Sequence, residues 1–249
     1  MKLNKYLLML LALVFSGSAV AQKAGEGGAK PSLPSASEIV AKYVAAIGGR
    51  EANAKFKSRV TTGKVSFSPI GLSGTYEQLA ASPNRSALRM DLAGVGQFID
   101  VTDGGTSWAN DPIQGFRQRS GKELEQQKNT ALFARTYDPN AAYTSLEVKG
   151  IEKVNGSDAY VVIGKQSGLP DDTIYFDVAS GLIVRTDSTS ISPQGEIKTQ
   201  SFPSDYREVD GVKIPHKIRS VIPNMEITLT VDKVEHDAAV SEEKFARPK

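Results

Sequence analysis

His216 in "IPHKI" and His236 in "VEHDAAV" are the only histidines of this 249-residue chain, which has no cysteine. Thiol nucleophiles and thiolate metal sites are therefore excluded. A zinc site would need both imidazoles to converge with a carboxylate such as Glu235 or Asp237. The pattern puts them on neighbouring strands, but in no HExxH or other paired spacing. Both are read as surface histidines. A serine hydrolase needs a serine, a base and an oxyanion hole. "GGTSW" at 104–108 is not G-x-S-x-G, and it falls in a hairpin instead of a strand-to-helix elbow. Paired carboxylates hydrolyse glycosides. Asp171 and Asp172 in "LPDDT" read as a solvated loop, and Glu123 and Glu125 qualify by type alone. "GVG" at 94–96 lacks the Lys-Ser/Thr of a phosphate loop. No catalytic residue, metal or cofactor is expected, so the chain is not read as an enzyme.

Function must then rest on shape and surface. Residues 1–21 carry Lys2 and Lys5, an apolar run from Tyr6 to Phe15, and the small-residue pattern Ala19-Val20-Ala21. That is a cleavable secretory signal peptide, too short in its apolar core to span a bilayer. No cysteine follows to carry a lipid, so the expected product is a soluble periplasmic protein that is not itself a lipoprotein. No disulfide can hold it, and its core must do so. Without Lys2 and Lys5, 28 basic residues balance 28 acidic ones. Nucleic-acid binding needs a basic surplus or stripe, and neither is present.

Residues 22–34, "QKAGEGGAKPSLP", form a flexible linker. One domain is expected over 35–249. Ser35 and Glu38 have capping-box spacing, Ile39, Val40, Tyr43, Val44 and Ile47 recur at helical period, and Gly48-Gly49 closes the run. A helix over 36–47 follows, then a short one over 50–57. From Arg59 the period is two. "RSALRMDL" sets Leu88, Met90 and Leu92 on one face, and "MEITLTVD" does the same for Met225, Ile227, Leu229 and Val231. Such alternation predicts antiparallel strands with one wet face. About nine to eleven strands are expected, with "DAYVVIG" and "TIYFDV" central because they are continuously apolar. A third helix is predicted over 120–134, opening on a Ser120–Glu123 capping box, and "RTYDPNAAYTS" after it reads as a mobile loop. Asp103-Gly104, Asn155-Gly156, Ser180-Gly181 and Asp210-Gly211 supply hairpin turns, so these glycines are architectural.

The predicted architecture is α+β, an open antiparallel sheet with two or three helices packed in its concave face. A gap left by the helices would be a pocket for an apolar ligand. Leu88, Met90, Leu92, Met225, Ile227 and Leu229 are its candidate lining, with Trp108 and Phe116 nearer a rim. Burying an acyl chain is worth about 0.8 kcal/mol per methylene. A chain of roughly fourteen methylenes then yields on the order of 10 kcal/mol gross, offset by several kcal/mol of ordering and association losses.

The stretch "YFDVASGLIVRTDSTSISPQGEIKTQSFPSDYREVDGVKIPHKIRSV" resembles the LolA-like superfamily, in its outer membrane lipoprotein-sorting branch. The carrying features are the strand pair joined at Ser180-Gly181, "DYREVDGVKIP", and the closing "VSEEKFARP". "SEIVAKYVAAIGGREA" near the N-terminus is similar too, so the resemblance spans about 35–248. It implies an open half-barrel whose hydrophobic cavity shelters acyl chains of lipids or lipoproteins. A monomeric periplasmic carrier is the expected reading. The alternative is an envelope sensor or protein-interaction module on the same fold, with an envelope protein as partner. No arginine can be matched to the carrier's cavity arginine; Arg89 and Arg185 lie on strands with apolar neighbours facing the other way.

Overall fold

The structure, a computed structural model, describes residues 32–248. The expected signal peptide and almost all of the linker lie outside the described residues. Helix α1 spans Ala36–Ala46 and begins as its sequence dictates. The Ser35 hydroxyl accepts from the Glu38 amide at 3.3 Å, and the Glu38 carboxylate accepts from the Ser35 amide at 2.8 Å. The helix buries Ile39, Val40, Tyr43 and Val44. A short helix α2 follows over Arg50–Ala54, and α3 covers Gly121–Thr130.

Thirteen strands form one antiparallel sheet. The first six are β1 (Ser58–Ser68), β2 (Leu72–Ala81), β3 (Arg85–Leu92), β4 (Gly96–Thr102), β5 (Ser107–Asp111) and β6 (Gly115–Gln118). The other seven are β7 (Ser145–Val154), β8 (Ser157–Lys165), β9 (Asp172–Asp177), β10 (Ile183–Ser192), β11 (Gly195–Val209), β12 (Val212–Ile222) and β13 (Met225–His236). The order is β6-β5-β4-β3-β2-β1-β13-β12-β11-β10-β9-β8-β7. Two meanders therefore meet where the first strand pairs with the last. The count exceeds the expected nine to eleven, because strands as short as β5 and β6 carry too few alternations to read as period two.

The sheet is strongly bent. Gln194, in the β10–β11 turn, donates to Gln114, in the β5–β6 turn, at 3.1 Å, although six strands separate β5 from β11 in the sheet order. Part of the bend is written at two glycines. A β-carbon on Gly63 would stand 2.0 Å from the Thr230 carbonyl oxygen, and one on Gly74 would stand 1.9 Å from that of Asp91. Gly63 also lies at a register shift between β1 and β13, and such bulges bend a strand and sharpen its twist. Asn155-Gly156 and Asp210-Gly211 both have two successive positive φ angles, the geometry of a tight hairpin turn.

The face on which α1 packs is called inner here. There Ile39, Val40, Tyr43, Val44 and Ile47 meet Val162, Ile174 and Phe176 of β8 and β9. Tyr43 and Phe176 pack edge to face at 5.7 Å. The opposite side of β8 and β9 is apolar too, with Val161 and Tyr175 packing against Phe202. Arg185 and Arg219 lie over the rings of that cluster, their stems shielding it while their charges reach water. This corrects the expectation that continuously apolar strands are central. β8 stands next to the edge strand β7 and β9 next to β8, and they are apolar because both their faces are covered.

The outer face of β1–β5 is not wet either. Leu79, Ala81, Ala87, Val101 and Trp108 form a buried cluster closed by Phe245 from the C-terminal turn Glu242–Phe245. Arg89 donates to the Lys244 carbonyl at 2.8 Å, and Lys244 reaches Glu77 at 2.9 Å. Gly63→Ala and Gly74→Ala are each expected to lower stability by about 1–3 kcal/mol, since a neighbouring backbone must move. Urea unfolding midpoints check this, with Gly168→Ala, at a site open to solvent but at positive φ, as the comparison for a purely conformational cost.

Candidate functional site

Register places Leu88, Met90 and Leu92 of β3 opposite Gln78, Tyr76 and Gly74 of β2, and Val65 and Phe67 of β1 opposite Leu229 and Ile227 of β13. Val65 lies opposite Gly74 in turn. These side chains share the inner face and one apolar cluster, in which Val65, Tyr76 and Leu92 are buried while Leu88, Met90, Phe98, Ile227 and Leu229 are only partly covered. Burial pushes the Tyr76 hydroxyl up to about 12, helped by the nearby Asp232 charge. Leu88, Met90 and Phe98 line a cavity of about 170 Å³ together with Asp100, Arg117 and Arg119.

Five expected lining residues, Leu88, Met90, Leu92, Ile227 and Leu229, thus come together. Met225 begins β13 at the hairpin opposite Ile222, at the end of this wall. Trp108 and Phe116 do not join it. Trp108 pairs with Val101 and packs on the outer face under Phe245. Phe116 alternates with Arg117 and lies exposed beneath the Arg247 guanidinium. One-residue parity decides both cases: Ala109 and Arg117, paired across β5 and β6, occupy the inner positions instead.

Sequence reasoning missed the polar side of the cavity. Arg119 is buried and donates to Asp100 at 2.8 Å, to the Ser107 hydroxyl at 2.9 Å and to Glu123 at 3.0 Å. Arg117 holds the same Glu123 through two bonds of 2.8 Å. Glu123 is thereby spent on arginines, and the expected Ser120 capping box does not form. Burial alone would raise the Glu123 carboxyl, but the two guanidiniums outweigh it and hold it below its usual range. The signal was legible in "FRQRSGKE", where alternate arginines share a strand face and an acid follows on the next helix.

This cluster is one anchor of a strap that crosses from β6 to β7. Along it, Gln126 of α3 donates to the Thr189 carbonyl and accepts from the Ile191 amide, both at 2.8 Å. It thus satisfies the edge of β10 beyond Asp187, where the β9 ladder stops. The far anchor is Asp172, which accepts from Tyr143 at 2.6 Å and Arg135 at 3.0 Å. Asp172 is buried, not solvated. The helix expected over 120–134 ends at Thr130 and gives way to a 3-10 turn with Phe133 buried. The segment expected to be mobile, 135–145, holds a second 3-10 turn with Pro139 and Ala142 buried. Behind the strap, Arg59 lines a smaller cavity with Thr61, Gln78 and Phe133. Burial pulls its pKa down, opposed by Tyr43.

The histidines do not converge. His216 is buried with Nδ1 2.9 Å from the carbonyl oxygen of Ile214. His236 stacks on Phe56 at 3.9 Å and meets Asp210 through Nδ1. Among the described residues no group of three or more metal-ligating side chains occurs.

No family model matches the sequence, and no curated protein matches it. Among solved structures it is similar to a DUF1329 family protein from Desulfovibrio piger, at 13% identity over 84% of this chain and 96% of that one, with a TM-score of 0.56. It is similar to a LolA superfamily protein from Nitrosomonas europaea at 12% identity over 86% and 98%, with a TM-score of 0.55. An outer membrane lipoprotein-sorting protein domain from Vibrio parahaemolyticus matches at 12% identity over 83% and 97%, with a TM-score of 0.51. At such identities the likeness is one of fold. The chain has a LolA-like fold.

Two outcomes are expected for the strap. Asp172→Ala leaves Arg135 and Tyr143 without their buried acceptor, and should cost about 3 kcal/mol, with hydrogen exchange rising first over 133–142. Glu123 has a depressed folded pKa, so its contribution is present above the unfolded value near 4.5 and fades as pH falls through the folded value. Exchange protection of α3 should therefore weaken at acid pH, and Glu123→Gln should remove that pH dependence while lowering protection at neutral pH.

Proposed function

We propose that this protein is an acyl-chain binding module of the bacterial cell envelope, carrying a lipid or the lipid moiety of a lipoprotein in the hollow of its bent sheet. One observation carries the reading. Leu88, Met90, Phe98, Ile227 and Leu229 form a continuous apolar wall that neither α1 nor the strap fills. A core has no use for such a wall, and a ligand with methylenes to bury does. Export in the periplasm and a role in transport belong to the same proposal, supported by the sequence of residues 1–21.

Size adds a condition. The cavity of about 170 Å³ is smaller than the roughly 300–1,000 Å³ of ordinary ligand pockets. A long chain enters only if the strap lifts from β10, and its attachment there is polar and local: Gln126 on two backbone groups. The reading thus makes α3 the moving part, and the Arg117–Glu123–Arg119 cluster its hinge-side tether.

Native mass spectrometry of protein recovered from its host's membranes should show added lipid mass. Leu229→Arg puts a charge on the apolar wall, where desolvation is costly, and should abolish that mass in a variant that still folds. Protein free of adduct in both forms would favour the sensor or protein-interaction alternative.

A further inference from the structure

Antiparallel hairpins place alternate connections at the same end of a sheet. Five of them, 69–71, 93–95, 112–114, 193–194 and 223–224, share one end here. They read Pro-Ile-Gly, Ala-Gly-Val, Pro-Ile-Gln, Pro-Gln and Pro-Asn, without one charged residue. The opposite end carries Asp103 and Asp210 in its turns and Asp237 after β13, with Lys57 before β1 and Arg85 at the start of β3. A sixth connection on the uncharged side, between β8 and β9, holds Asp171 paired with Lys165, but it sits lower, since β9 accompanies β10 only to Asp187.

Ile113 is 79% exposed and Ile70 is 58% exposed. Isolated surface hydrophobics are ordinary; their clustering is not. Of the six large hydrophobics exposed among the described residues, Ile70, Ile113, Phe116 and Ile197 lie in or within three residues of these turns. We infer that this hairpin end docks on a lipid bilayer, with Ile70 and Ile113 entering the interface. A protein partner needs a continuous complementary patch of about 800 Å², whereas these tips are separate apolar points on different hairpins. A fluid interface accepts separate points. The far end carries charges of both signs and keeps its hydration in water, so it is the uncharged tips that face the bilayer. The apolar wall starts directly below the tips, where Phe67 of β1 faces Leu72 of β2, so docking points the hollow at the acyl chains. Docking deepens the acyl-chain reading by naming the surface that supplies the ligand, yet it is measurable without any ligand.

The test is co-sedimentation of the chain from Gln22 onward with phosphatidylcholine vesicles, with and without phosphatidylglycerol. Starting at Gln22 removes the apolar leader from the measurement. Binding to both vesicles, insensitive to high salt, is expected. Ile70→Asp and Ile113→Asp should each reduce the bound fraction about tenfold, Ile113→Trp should increase it, and Ile151→Asp, on the distant β7, should leave it unchanged. All three positions are exposed, so circular dichroism should show intact folds. Absence of binding, binding unaltered by the double Asp variant, or binding confined to phosphatidylglycerol and lost in salt would overturn the inference. So would an oligomer that Ile113→Asp dissolves in the absence of lipid. Leu229→Arg separates the two readings: it should lose lipid mass yet still sediment with vesicles.

Discussion

The first strand lies against the last. β1 pairs with β13 from Arg59 to Ser68, and this ladder is what turns two meanders into one sheet. Without it each half would expose a long unpaired edge, the arrangement that invites aggregation. The two strands are far apart in sequence, so their pairing carries a large loop-closure cost and must be repaid by what it creates. What it creates is one continuous bent sheet, to which the register shift at Gly63 contributes, and with it an inside.

Coverage of that sheet is diagonal. α1 fills the inner face of β8 and β9. The C-terminal turn fills the outer face of the other half, putting Phe245 against Trp108 and Val101. The strap crosses between the edges, tied by Arg117 and Arg119 at one side and Asp172 at the other. One apolar surface is left over, the part of the inner face of β1–β4 and β13 around Leu88, Met90, Phe98, Ile227 and Leu229, beyond the reach of Phe133. The hollow is thus a remainder, the part of the sheet that no segment of the chain was placed to cover. That is a stronger argument for a ligand than apolar content alone, because every other apolar face here has been provided with a cover.

Much of this was legible before the structure. α1 could be read from its capping box and periodicity because both signals are local. The face shared by Leu88, Met90 and Leu92 followed from strict alternation over eight residues. β5 and β6 were not readable at five and four residues, and Trp108 and Phe116, expected nearer a rim of the lining, lie on the outer face: parity needs a counted register, and a short strand does not supply one. The strap was beyond reach on other grounds. Asp172 looks like any loop acid until tertiary structure brings Tyr143 and Arg135 to it, and Gln126 gains its role only from a neighbouring strand that ends early. The resemblance to the LolA-like superfamily rested on hairpin and strand patterns, and fold is what the solved structures bear out.

The wall facing the apolar one explains why the hollow does not simply collapse into a core. Register sets Thr186, Ser188 and Ser190 of β10 on the same face as Ile174, with Thr199 and Ser201 of β11 beside them and Ser220 of β12 beyond. Ser201 and Ser220 share a hydrogen bond of 3.1 Å. Closing Leu88 and Met90 onto that wall would strip water from hydroxyls with too few partners, at a cost of about 1–3 kcal/mol for each one left unsatisfied. The apolar side gains by burial while the hydroxyl side loses by it. On the proposed reading, an amphiphile would lay its methylenes on β3 and β13 and leave the hydroxyls of β10 and β11 to water and to the strap's glutamines.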